Sequence, residues 1–393
     1  MTALPDRETA LARARTLIPR IAARAARAEA DRQVPGETIN ELLDSGLLGV
    51  VMARAFGGSE LGFATLVEVA AELSAACGST GWVYGVLAGH SWLLNLFPPQ
   101  AQAEFHASSR ALAATVFRMS GTVTTVQGGY RLSQATARFC SGIEHASWVI
   151  ASNAFGTPAA PENARYFLIP KESIQVIDDW FTAGMRGTGS CSIRIEEVFV
   201  PEYRSVAATD VMSGNSPGAQ CLGSTSFRTP YQDVAPFSIV GAPLGLARRA
   251  VAAFSAGLKS RYTGVPPEQI AEMSATIARI GHAAADIDAA FALVVADARE
   301  VDSMPDPRAR SAIERARLAR DWAYAAHQCR YAVDSVFEAA GGAGIFDTSE
   351  LQRIWRDVNS AAQHFAFIWD TAMTNFGRAT LGLPPSSGTI RSL

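Results

Sequence analysis

The chain has 393 residues, with 34 Lys+Arg against 37 Asp+Glu and a formal net charge of −3. Hydrophobic types make up 48% and charged types 18%, below the roughly 25% of an average soluble domain, which excludes a disordered tail protein. No surplus of cations exists to neutralise phosphates, so broad nucleic-acid binding is excluded as well, and the length calls for two or three core units.

Residues 1–110 read as a helical domain. Ala, Leu, Ile and Arg alternate at helix spacing over the first 30 residues, and a second helix is predicted near Glu37–Ser45, with Gly46 suited to the left-handed position after its end. A third helix, Leu61–Cys77, carries Leu66, Val69, Ala70 and Leu73 on one apolar face. After Gly78-Ser79-Thr80 a fourth, Gly81–Phe97, is apolar nearly all round and is predicted to be buried on most sides. His90, Ser91 and Asn95 interrupt it, and it falls short of the ~20 clean residues of a membrane span.

Residues 111–229 change character. Thr, Val, Ile and aromatics rise, and Gly and Pro punctuate short runs. Val123–Val126, Gln127-Gly128-Gly129 and Tyr130–Phe139 predict two strands joined by a tight turn. Ser147–Ala154, Arg165–Ile169 and Ser192–Val200 are further strands. Residues 230–393 return to Ala-rich helices, divided by Pro266-Pro267, Met304-Pro305-Asp306-Pro307 and Gly341-Gly342-Ala343-Gly344 into about four pieces, the pattern of an antiparallel bundle. The fold class is therefore α+β: N-terminal helical domain, middle antiparallel β domain, C-terminal four-helix bundle.

Much familiar chemistry has no motif here. No GxGxxG follows a strand, and no phosphate loop, HExxH or GxSxG elbow occurs. The five cysteines are scattered with no CxxC pair, and His106, His145, His282 and His327 have no metal-ligand spacing, so neither a disulfide framework nor a metal site is expected. The N-terminus, Met-Thr-Ala-Leu-Pro-Asp-Arg, lacks an apolar stretch after a basic start, and the expectation is a cytoplasmic protein with no membrane or nucleic-acid partner.

Several short stretches occur in a specific order: Cys77-Gly78-Ser79-Thr80-Gly81-Trp82-Val83 with His90 beyond it; Gly128 to Ser133; Ser141-Gly142-Ile143-Glu144-His145; Gly184 to Ser190; Val198-Phe199-Val200-Pro201; Gly341 to Gly344; and Arg356-Asp357 followed by His364. In this order and spacing the chain resembles the acyl-CoA dehydrogenase fold. Within that fold it looks like the flavin-dependent monooxygenases that form the oxygenase component of two-component aromatic hydroxylases. The dehydrogenases generally carry a Glu in the last helical region, where this chain reads Ala361-Ala362-Gln363-His364-Phe365-Ala366-Phe367-Ile368-Trp369-Asp370.

The resemblance implies a reduced flavin, FMNH2 or FADH2, delivered by a separate NAD(P)H:flavin reductase. Molecular oxygen would be the co-substrate, a flavin C4a-hydroperoxide the oxidant, and a phenolic or polycyclic aromatic compound the substrate. Oxygenation of nitrogen or sulfur on the same fold, or an acyl-CoA dehydrogenase-type reaction, remain alternatives. His90 is then the group that takes or orients the substrate proton, as an imidazole of pKa about 6.5 can. His364 moves a proton or holds the hydroperoxide, and Ser141 meets the flavin N5 edge. By resemblance Phe139, Arg186, Thr188, Ser190, Gly341 and Gly342 contact the flavin, and Arg261 reaches the flavin phosphate of a neighbouring subunit in a homo-oligomer, expected to be a tetramer. Trp82, His90, Phe117 and Trp369 line the substrate cavity. The family pattern has Gly-Arg-Trp before the Ser-Gly, whereas this chain has Gln134-Ala135-Thr136-Ala137-Arg138-Phe139-Cys140.

Overall fold

The computed structural model describes residues 5–154, 164–266 and 274–386. The Pro267 half of the Pro266-Pro267 break lies outside them.

The N-terminal helices are α1 (Arg7–Ala30), α2 (Gly36–Asp44), α3 (Phe63–Ala76), α4 (Gly78–Leu94) and α5 (Pro99–His106). Asp6 caps α1 by accepting from Thr9 N at 2.8 Å, and Ala10, Leu11, Ala14, Leu17, Ile21, Ala25 and Ala28 form its buried stripe. Gly46 stands at φ 74° after α2, as the sequence predicts. Helix α4 starts three residues earlier than predicted. Gly78-Ser79-Thr80 is its first turn, and the only break from α3 is the extended residue Cys77. The burial of α4 follows from Gly81, Gly85 and Gly89, spaced by one helical turn. A Cβ at Gly81 would strike Ser74 of α3, and at Gly85 or Gly89 it would strike Ser238. Neighbouring helices therefore pack against α4 at backbone distance.

Among the described residues eight strands follow: β1 (Ala113–Val116), β2 (Thr122–Val126), β3 (Gly129–Ala137), β4 (Trp148–Ser152), β5 (Arg165–Pro170), β6 (Gln175–Ile177), β7 (Ser192–Pro201) and β8 (Ser205–Ala207). They form two four-stranded sheets, ordered β1-β4-β5-β8 and β2-β3-β7-β6. The predicted hairpin is the β2–β3 pair, with Gly128 at φ 81° in its turn. The antiparallel expectation holds for every pairing except β1–β4, which is parallel. That pair is covered on both faces, as parallel strands require. Ala114, Val116, Val149 and Ala151 pack against Leu132 and Ile193 of the second sheet, while Ala113 and Ile150 join the helical core.

After the short helices α6 (Ala208–Ser213) and α7 (Pro217–Leu222) come α8 (Phe237–Arg261), α9 (Ser274–Ser303), α10 (Ala312–Ala340), α11 (Glu350–Ala361) and α12 (Trp369–Thr380). The segment Tyr231–Arg261 is long and apolar enough to cross a membrane by those measures alone, yet 72% of its most apolar window is buried inside the protein. It is a core helix packed on α3 and α4. Bundle and N-terminal domain are also tied by Asp302 of α9, which caps α3 by accepting from Phe63 N at 2.8 Å and Ala64 N at 2.9 Å. Burial pushes that carboxyl up to about 6.

Candidate active site

Helix α4 supplies two of the expected residues, Trp82 and His90. Eight residues separate them, so they sit about 12 Å apart along the axis. Around Trp82 three elements meet. The indole Nε1–H donates to Ser141 Oγ at 3.2 Å, in the loop after β3, and its ring stands edge-on to His364 with centroids 5.6 Å apart. The chain thus brings Ser141 from the β domain and His364 from the bundle onto one indole. His90 forms a second station further along the same helix.

The two imidazoles are fixed in opposite senses by backbone groups. His90 is buried, and its Nδ1 lies 2.9 Å from Ala113 O of β1. A carbonyl only accepts, so Nδ1 carries the hydrogen and Nε2 presents a lone pair. His364 caps the short helical turn Phe365–Phe367 by accepting from Ala366 N on Nδ1 at 3.2 Å. Its hydrogen is therefore on Nε2. Burial pushes both rings down to about 4, which keeps them neutral near pH 7.

Behind Ser141 lies a file of hydroxyls. Ser141 Oγ is 2.7 Å from Ser190 Oγ, which is 2.7 Å from Thr188 Oγ1, and Thr188 donates to Met185 O at 2.8 Å. Thr188 and Ser190, expected as flavin contacts, are both buried and support Ser141 from behind. Their loop is clamped by α11. The buried Asp357 carboxylate accepts from Met185 N at 2.5 Å, Arg356 Nη1 donates to Ala183 O at 2.7 Å, and a Cβ on Gly184 would strike Arg356 O. Desolvation pushes Asp357 up to about 6. Arg186, on the same loop, has its Nε buried with no acceptor among the described residues.

On the open side, Phe139 stands at φ 67° and is 61% exposed. Its ring meets Trp180 edge-on with centroids 6.1 Å apart, and the Arg138 guanidinium lies over it at 5.1 Å. Arg138 therefore stacks on the rim. A half-exposed hydroxyl edge, an exposed aromatic face and a guanidinium whose Nε has no acceptor among the described residues make a set that suits a flat heteroaromatic ring with an anionic tail.

The surroundings of the other expected residues are as follows. Phe117 packs on Tyr231, and Trp369 packs on His327 with centroids 4.7 Å apart. Arg261 and Gly344 line a cavity of about 150 Å³ between the ends of α8, α10 and α11, with Phe254, Ala343 and Glu350. Gly341, at φ 59°, ends α10, and a Cβ on it or on Gly342 would meet nothing within 4 Å. Asp357, Met185 and Trp180 support the site without any role being legible for them in the motifs. The Arg356-Asp357 pair was the one visible signal, since a buried acid must find a donor.

Comparison with known proteins agrees with this layout. Residues 6–105 match the family model for the acyl-CoA dehydrogenase N-terminal domain, and residues 237–369 match that for the acyl-CoA dehydrogenase C-terminal domain. A pigment production hydroxylase from Rhodococcus sp. is 34% identical over 380 residues, covering 95% of this chain and 96% of that protein. The oxygenase component of an FADH2-dependent resorcinol hydroxylase from Rhizobium sp. is 32% identical over 91% of this chain and 90% of its own. The crystal structure of 3-HSA hydroxylase from Rhodococcus sp. RHA1 superposes with a TM-score of 0.89 at 27% identity, covering 97% of this chain and 98% of that one.

Proposed function

The chain belongs to the acyl-CoA dehydrogenase family, in the branch of flavin-dependent monooxygenase oxygenase components, and on that premise we propose how its own side chains divide the work. The protein is a reduced-flavin-dependent monooxygenase that hydroxylates an aromatic substrate. When bound, the flavin supplies two electrons and activates oxygen.

The observation that carries the assignment of roles is the opposite fixing of His90 and His364. His90 offers a lone pair on Nε2 and accepts the hydrogen of a phenolic hydroxyl, which makes the aromatic ring the better nucleophile. Its low proton affinity suits holding that hydrogen in a strong hydrogen bond during the reaction. His364 offers a hydrogen on Nε2 and donates it to the oxygen being transferred. Trp82 touches both, donating its indole N–H to Ser141 and standing edge-on to His364. With flavin bound, Ser141 would serve its N5 edge, Phe139 would stack on the ring, and Arg186 would pair with an anionic group of the cofactor. The apolar walls of α4 keep water from the reacting atoms.

The same reading includes a separate NAD(P)H:flavin reductase that delivers reduced flavin by diffusion, a cytoplasmic setting, and a homotetramer. Exposed Tyr331, Ile345, Phe346 and Leu381 on the bundle support association with further copies. In a tetramer Arg261 would serve the flavin phosphate of a neighbouring subunit.

The test is oxygen uptake by the purified protein with chemically reduced FMN or FAD, run against a panel of phenols and read by product mass. Uptake that yields a product one oxygen heavier supports the reading. Flavin oxidation that yields only hydrogen peroxide with every phenol, amine and thioether tried removes it.

A further inference from the structure

The hydrogen bonds behind Ser141 can run in one direction only. Met185 O cannot donate, so the Thr188 hydroxyl gives its single hydrogen to that carbonyl. With that hydrogen committed, the 2.7 Å contact between Thr188 and Ser190 needs Ser190 as donor. Ser190 also has one hydrogen, so across the 2.7 Å to Ser141 the donor is Ser141. Trp82 Nε1–H only donates, and it occupies one of the two lone pairs of Ser141 Oγ. What Ser141 has left for a ligand is a lone pair and no hydrogen.

Among the described residues both ends of this order are fixed. Thr188 and Ser190 are 2% and 4% exposed, too deep for bulk water to compete. At the far end Met185 is held in the left-handed region at φ 55°, with its N–H on Asp357, and its carbonyl also accepts from Trp180 Nε1 at 3.2 Å. Reversing any one hydroxyl would set two lone pairs against each other at 2.7–2.8 Å.

We propose that Thr188 and Ser190 are positioning residues that hold Ser141 as an obligate acceptor. The site then favours the flavin redox state whose N5 carries a hydrogen. This rests on the proposed placement of Ser141 at the N5 edge. Reduced isoalloxazine bears a hydrogen on N5 and can donate it to Ser141. Oxidised isoalloxazine has a lone pair there, which would face the lone pair of Ser141.

The test is anaerobic equilibrium binding of oxidised and reduced FMN, and of oxidised and reduced FAD, to the wild type, Thr188→Val and Thr188→Ser. The wild type is expected to bind the reduced form at least about tenfold more tightly. Thr188→Val keeps the buried volume but removes the acceptor for Ser190, whose hydrogen can then turn to Ser141 and free the Ser141 hydrogen for oxidised N5. The ratio of the two dissociation constants should fall about tenfold, chiefly through tighter oxidised flavin, which lowers the midpoint potential of the bound flavin by about 30 mV. Thr188→Ser should restore the wild-type ratio. A ratio in Thr188→Val equal to that of a flavin-binding wild type overturns the proposal and leaves the flavin assignment standing. Failure of every protein to bind either redox form removes that assignment as well.

Discussion

His90 and His364 carry their ring hydrogens on opposite nitrogens, because one Nδ1 faces the Ala113 carbonyl and the other faces the Ala366 N–H. One ring presents an acceptor and the other a donor, and in the neutral rings both choices are set by backbone groups.

The two positions should therefore fail differently. His90→Ala is expected to slow hydroxylation by about 10²–10⁴-fold while flavin binding is unchanged. His364→Ala is expected to raise the hydrogen peroxide released per flavin oxidised, because the donor to the transferred oxygen is gone. Product and peroxide quantified in one assay separate the two. Equal loss of both products in both variants would mean that neither ring has the role given to it.

Burial sets the pH behaviour. Both rings are pushed down to about 4, so the acid limb of hydroxylation should lie near pH 4, well below the 6.5 of a free imidazole. For stability, the unfolded chain takes up protons between pH 6.5 and 4 that the folded His90 refuses. Stability therefore falls as pH drops through that window, by up to about 3 kcal/mol for a fully buried ring. Asp302 and Asp357, both pushed up to about 6, act in the opposite sense. The comparison is thus between wild type and His90→Gln, whose denaturation midpoints should converge as the pH is lowered from 7 to 4.5.

Arg186 offers a third test. Its buried Nε has no acceptor within the described chain, so Arg186→Gln should weaken binding of either flavin redox form by about tenfold or more, and wild-type affinity should fall with added salt. Unchanged flavin affinity would return Arg186 to a structural role.

Asp302 tests the link between bundle and N-terminal domain. Asp302→Ala removes the acceptor for two buried N–H groups at the start of α3 and should cost about 1–2 kcal/mol, read as a lower denaturation midpoint. The distance between Trp82 and Ser141 is set by other contacts, so flavin affinity should change little.

The architecture was largely legible in the sequence because its signals are local. The Gly46 cap, the Gly128 turn and the apolar circumference of α4 each announce an element without reference to the rest of the chain. The misses arise where one backbone residue or a distant partner decides the outcome. The turn-like Gly78-Ser79-Thr80 became the first turn of α4 because a single extended residue, Cys77, suffices to redirect the chain. Strand β1 is too short to show a period, and its parallel partner lies more than thirty residues on. In the site, His90, Ser141 and His364 were visible only through motif resemblance. The Trp82 bridge and the Asp357 clamp depend on side chains meeting from three domains, which no spacing records.

The most direct test of oxygen transfer is a single turnover with reduced flavin, ¹⁸O₂ and a phenol that the protein hydroxylates or binds. One labelled oxygen atom is expected in the aromatic product for each flavin oxidised on productive turnovers. An unlabelled product, or labelled hydrogen peroxide as the only outcome, would contradict it.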